Sequence, residues 1–147
     1  MAGESSRELH MSDTVVVNEN GQGRYQQSIQ VGRHSLLADE PSTLGGDNAG
    51  PAPFDYVMAG LGACTSMTLR MYAERKGWSL DRIEVQLSHE QSLVDGIRCN
   101  QIHRQIGLHG ELNSEQKQRL LEIANKCPVH RALSESFHLT SELAAAG

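Results

Sequence analysis

The chain has 147 residues, a formal net charge of −5, 38% apolar residues and 4% aromatic ones. That is one domain's worth of sequence, able to bury roughly two-thirds of its surface. The 13 basic residues are scattered, so no stretch gathers the charge that a nucleic-acid surface needs. The thin core and 14 glycines point to apolar surface completed by a partner subunit.

The start, up to residue 11, is polar and expected to be loosely held, with neither a signal peptide nor a membrane span. No apolar run approaches the roughly 20 residues of a spanning helix, so a cytoplasmic protein with no membrane contact is expected. Thr14-Val15-Val16-Val17 is β-rich, and Asn20-Gly21 reads as a two-residue hairpin turn. Tyr25, Ile29 and Val31 alternate with polar residues, and a third strand runs from His34 to Ala38, giving a β-meander. Residues 39–53, rich in proline and glycine, form a loop long enough to be functional.

Residues 54–76 read as one long helix, with Phe54, Val57, Met58, Leu61, Thr65, Leu69 and Tyr72 on an apolar stripe. Ala59, Gly60, Gly62 and Ala63 leave its other faces small, as close approach of another backbone requires, and Gly77 ends it. Ile83, Val85 and Leu87 alternate as a strand, Asp95-Gly96 turns the chain, and a return strand starts at Ile97. Its apolar phase slips between Cys99 and Ile102, which predicts a β-bulge near Asn100. Arg104 shares a face with Ile102 and Ile106, an odd place for a charge. Asn113 and Gln116 form a capping box for a helix whose inner stripe is Leu120, Leu121, Ala124 and Cys127. Pro128 opens a short helix to Ser134, and a last strand is expected over residues 137–140.

Three cysteines in a chain without an export signal read as thiols rather than a disulfide framework. Cys64, deep in the long helix, has the position of a buried small hydrophobe and lies too far from the helix start to feel its dipole. Cys127 precedes proline, so it either ends one helix or caps the next, where a sulfur meets unpaired N–H groups. His130, three residues on, would add a positive neighbour. Cys127-x-x-His130 has no second pair of ligands at zinc spacing, so no metal is expected. Cys99 reads as packing. Two such thiols suit a redox pair, in which one forms a sulfenic acid and the other condenses with it. Their spacing does not show that they meet.

Two motifs carry a resemblance. Gly50-Pro51-Ala52-Pro53-Phe54-Asp55-Tyr56 followed by Ala59-Gly60-Leu61-Gly62-Ala63-Cys64-Thr65 resembles the first-cysteine signature of the OsmC/organic hydroperoxide resistance family. Ala124-Asn125-Lys126-Cys127-Pro128-Val129-His130 resembles the second. Asp39-Glu40-Pro41 with Gly45-Gly46, and residues 71–77, resemble a loop and a helix end of one clade. The resemblance implies an α+β fold, one OsmC-like domain in which antiparallel sheets wrap long central helices in an intertwined homodimer. It implies reduction of organic hydroperoxides by Cys64, resolution by Cys127 and re-reduction by a dithiol donor such as a lipoyl protein, with no cofactor. The family's Glu, ten positions before the first cysteine, is Phe54 here; Asp55 or Glu40 stands in for it. The family also sets an Arg beside the thiolate, for which Arg33 comes first, with Arg24 and Arg104 as alternatives. Two other functions remain open: a non-catalytic dimer binding a small apolar ligand, and a hydrolase in which His130 activates a cysteine.

Overall fold

A computed structural model describes residues 14–145. The loosely held start expected up to residue 11 lies outside them. The fold is α+β, with antiparallel sheets and helices in two compact units that meet in the sequence between Tyr56 and Val57.

The first unit is the expected meander: β1 (Val15–Glu19), β2 (Gln27–Val31) and β3 (His34–Ala38) pair in that order, all antiparallel. The β1–β2 connection is not the tight turn that Asn20-Gly21 predicts. The last pair is Glu19 with Gln27, so Tyr25 stays out of the strand. Asn20 closes this longer loop instead, accepting from Gln22 N–H at 2.9 Å and donating to the Gln26 side chain at 2.8 Å. A local side-chain bond thus outcompetes the two-residue turn.

Residues 39–52 form a loop with one 3-10 turn (Ser42–Leu44), organised from inside by Asp39. Its buried carboxylate accepts the N–H groups of Glu40, Asp47 and Ala49 at 2.8 to 3.1 Å. Those bonds, Ala49's foremost, hold Asp39 below the usual carboxylate range although burial opposes them. Gly46 is required by close approach, since a Cβ there would sit 2.0 Å from the Glu40 carbonyl oxygen.

The long helix α1 (Pro53–Lys76) begins in the first unit and continues through the second. Gly77, at φ 69°, ends it, and Trp78 N–H returns to Ala73 C=O at 2.9 Å, as in a Schellman cap. β4 (Ser79–Val94) and β5 (Ile97–Glu111) form a long two-stranded ribbon, joined through Asp95 and Gly96, both at positive φ. That pair of angles is the type I′ hairpin turn expected from Asp-Gly. α2 (Ser114–Ala124) starts with both bonds of the predicted capping box, and α3 (Pro128–Ser134) follows.

Three expectations fail in this unit. Pairing around Asn100 is regular, and the one irregularity lies between Leu80 and Arg82. The apolar phase slip has another cause: Leu93, Val94 and Ile97 are exposed, and alternation reports register only where one face is buried. Residues 137–140 form no strand among the described residues. Leu121 is 49% exposed, while Ile123 and fully buried Ala124 carry the inner face of α2 with Leu120. The core is Leu69, Tyr72, Ala73, Leu80, Leu120, Ile123 and Ala124, with Ile83, Ile106 and Leu108 packed against it. It joins the second half of α1 to α2 across the ribbon. No helix among the described residues is long and apolar enough to cross a membrane.

Candidate functional site

Within the second unit the fold brings together what the spacing leaves apart. Leu61, Thr65 and Leu69 lie on the buried face of α1, which positions neighbouring Cys64 half-buried beside them. Leu120, Ile123 and Ala124 anchor α2, so the short α2–α3 junction is delivered to the same place. There Cys127 is fully buried, with an extended backbone (φ −65°, ψ 141°). It is the N-cap of α3, as a residue before Pro128 is expected to be, and its Sγ accepts the His130 N–H at 3.3 Å.

Cys64 and Cys127 are both free thiols, and the Cys127 sulfur is near enough to act on the Cys64 thiol. Burial pushes the Cys64 thiol above its ordinary range; the Val129 N–H acts in the other direction, the Cys127 sulfur adds to the rise, and the Thr68 hydroxyl offsets part of it. Cys99 stands apart on β5, its Sγ directed to Ile97 C=O at 3.7 Å.

Arg104 explains itself once the helices are in place. From β5 its guanidinium reaches Thr65 Oγ1 (2.9 Å), Ala124 C=O (3.1 Å), Asn125 Oδ1 (2.9 Å) and His130 Nδ1 (3.0 Å). An Arg has no acceptor, so His130 Nδ1 is the unprotonated nitrogen and the ring is neutral. Burial first, and Arg104 second, hold His130 below its usual range. The expectation of His130 as a cation beside Cys127 is therefore corrected: Arg104 is the cation and His130 its acceptor. Thr65 Oγ1 donates to Leu61 C=O at 2.7 Å and lies 3.8 Å from Cys127 Sγ. Thr65 and Asn125 are the residues that sequence reasoning passes over. The only signal for Thr65 is a hydroxyl on an otherwise apolar stripe.

The other residues singled out from sequence belong to the first unit. Arg33 is exposed in the β2–β3 turn beside Gly32. Glu40 is half-buried in the Asp39 loop, its C=O accepting Asn48 N–H at 3.1 Å. Asp55, in the first turn of α1, accepts the Ala52 N–H at 2.9 Å, as an acid at a helix start should. Arg24 stacks on the Tyr25 ring, 4.9 Å from its centroid.

Comparison with known proteins bears on the fold. No curated protein matches the sequence. Among solved structures, an OsmC-like protein from Mycoplasma pneumoniae is 18% identical, with a TM-score of 0.69, over 86% of this chain and 88% of that one. An organic hydroperoxide resistance protein OsmC from Legionella pneumophila is 18% identical, with a TM-score of 0.67, over 85% and 90%. An organic hydroperoxide resistance protein from Elizabethkingia anophelis gives 18% identity and a TM-score of 0.67 over 86% and 90%. The family model described as OsmC-like protein matches residues 45–142, which include both cysteine motifs. This chain belongs to the OsmC-like family.

Proposed function

We propose that this protein is a cytoplasmic thiol peroxidase that reduces organic hydroperoxides, with Cys64 attacking and Cys127 resolving. The observation that carries it is the juxtaposition of Cys64 and Cys127 as free, interacting thiols in one unit. The Cys64 thiolate attacks the O–O bond; an S–O bond forms, and the alkoxide leaves to take up a proton as the alcohol. Cys127 then displaces hydroxide from the sulfenic sulfur, giving a disulfide and water, and a dithiol donor (a lipoyl protein in some members of the resembled family) returns both thiols. A cytosolic setting keeps such thiols reduced.

Arg33 as thiolate partner, and Glu40 or Asp55 as its acid, enter from the family resemblance alone. The raised Cys64 thiol makes such help necessary, because only the thiolate attacks peroxide. Family membership and exposed Val57, Met67 and Met71 on α1 support the single OsmC-like domain as one half of a homodimer. Leu61 and Met67, each three residues from Cys64 on α1, offer apolar contact to an alkyl tail and so favour organic over hydrogen peroxide, at about 0.8 kcal/mol per buried methylene.

Consumption of cumene hydroperoxide with dihydrolipoamide as reductant tests the function. Turnover with a Cys64–Cys127 crosslink is expected. A rate no faster than that of a free thiol would replace this function with a dimer that binds a small apolar ligand. An open apolar cavity of about 380 Å³ in the first unit, lined by Val15, Val17, Ile29, Val31, Leu36 and Tyr56 among others, gives that second reading its own support.

A further inference from the structure

The donor count at Arg104 is unusual. A guanidinium has five N–H groups, four of them on the two terminal nitrogens. Nη1 donates to Thr65 Oγ1 and Ala124 C=O, and Nη2 to Asn125 Oδ1 and His130 Nδ1, so all four are spent. Only the Nε proton remains, which leaves little with which to grip a peroxide. No ion pair of Arg104 with a carboxylate exists among the described residues; the pairs there are Arg82–Glu84 and Arg119–Glu122.

All four acceptors surround Cys127. Ala124 and Asn125 precede it, His130 follows it, and Thr65 faces it from α1. Thr65 has one proton, given to Leu61 C=O, and one lone pair taken by Arg104. Its second lone pair is left for the Cys127 S–H at 3.8 Å, while His130 N–H donates to the same sulfur. The Cys127 sulfur is thereby fixed from two sides by residues that Arg104 itself fixes.

We propose that Arg104 is a positioning residue for Cys127: through Thr65 and His130 it holds the resolving sulfur against Cys64 and sets the rate of disulfide closure, not of the first attack on peroxide. The physiological meaning of this role rests on the peroxidase function above. In the step concerned, the Cys127 sulfur bonds to the Cys64 sulfenic sulfur and the S–O bond breaks. The hydroxide released takes the proton that Cys127 gives up, so the peroxide already consumed is the only oxidant. Misplacing a reacting atom by about 1 Å costs up to about 100-fold, because the entropy of alignment is no longer prepaid.

The experiment uses the full chain as wild type, Arg104→Met, Arg104→Lys and Thr65→Val, each checked for folding by circular dichroism. Disulfide closure is followed by mass spectrometry after diamide, a thiol oxidant that needs no peroxidase activity. With Arg104→Met, closure should slow on the order of 10- to 100-fold. Arg104→Lys should fall between Arg104→Met and wild type. Thr65→Val should slow closure too, and combined with Arg104→Met it should add less than its own effect, since one path is broken twice. With cumene hydroperoxide, sulfinic acid on Cys64 should rise at the expense of the disulfide in Arg104→Met. In a Cys127→Ser background, adding Arg104→Met should change the rate at which the Cys64 thiol is lost by less than about threefold. If Arg104→Met does not fold, Arg104→Lys and Thr65→Val carry the same comparison. Closure at the wild-type rate in the folded variants overturns the assignment, as does an equal slowing of the first oxidation. Wild type that consumes no hydroperoxide, yet closes with diamide in an Arg104-dependent way, removes the peroxidase function and keeps the positioning role; turnover with Arg104-independent closure does the reverse.

Discussion

Cys64 and Cys127 are neighbours in space, but their surroundings differ in kind. Cys64 projects from mid-helix, where every backbone N–H is already committed to the turn before it, and burial raises its thiol. Cys127 sits at a helix start, where an unpaired N–H meets its sulfur, inside a lattice built by Arg104, Thr65 and His130. A helix interior has no backbone donor of its own to spare, so Cys64 relies on the Thr68 hydroxyl and the Val129 N–H, whereas a helix start supplies donors directly. Roles assigned by motif order make Cys64 the attacker, whereas the helix-start donor stands at Cys127. That tension is experimentally decidable.

The largest effect should come from Cys64→Ser, which should abolish hydroperoxide consumption, since a hydroxyl is a far poorer nucleophile toward peroxide oxygen. If this variant still forms a sulfenic acid while Cys127→Ser does not, the two roles are exchanged. Cys127→Ser should spare the first oxidation and strand Cys64 as a sulfenic acid. Excess peroxide should then add a second and third oxygen to the Cys64 peptide, visible by mass, with Cys99 still alkylatable.

The shared platform beneath both thiols can be weakened without touching either. Leu120 is fully buried in the core that delivers the Cys127 junction. Leu120→Ala should cost about 2–5 kcal/mol in urea unfolding, from lost transfer energy plus a cavity. Leu121→Ala, at an exposed position on the same helix, should cost under about 0.5 kcal/mol. Equal losses would mean that the inner face of α2 is the one read from the sequence.

The smallest effect is a pH dependence from the Cys127 side. His130 is neutral in the fold and held below its usual value of 6.5. As pH falls through 6.5 the unfolded chain takes up this proton before the folded one does, so stability is fully present above 6.5 and declines below it until the folded group also titrates. Thermal midpoints between about pH 7.5 and about pH 5.0 should show that decline, and His130→Ala should flatten it. An unchanged slope in the variant would remove His130 as the cause.

The elements with local causes were legible in the sequence. Asp95-Gly96, Gly77 as helix terminator, the Asn113–Gln116 capping box and Cys127 before Pro128 each act within a few residues, and each appears where expected. Misreadings fell where a nonlocal condition decides. Asn20-Gly21 lost to a side-chain bond reaching six residues on, and the phase slip at Asn100 lay in a stretch of ribbon with no buried face to enforce register. Leu121 was placed inside by periodicity, but which flank of the α2 stripe is covered depends on where α1 and the ribbon pack against it.

By itself the sequence determined the order of the elements as far as α3, the two cysteine motifs and the anomaly of Arg104 on an apolar face. These depend on residue type, turn chemistry and periodicity, all of which are written along the chain. Only the tertiary structure decided that Cys127 meets Cys64 and also Thr65, 62 positions before it in the chain. It likewise decided that His130 accepts rather than carries charge, and that Arg104 encloses Cys127. Contacts across β5, α1 and the α2–α3 junction arise from burying Leu69, Leu120 and Ala124 together, and no local pattern encodes where that burial brings the polar groups.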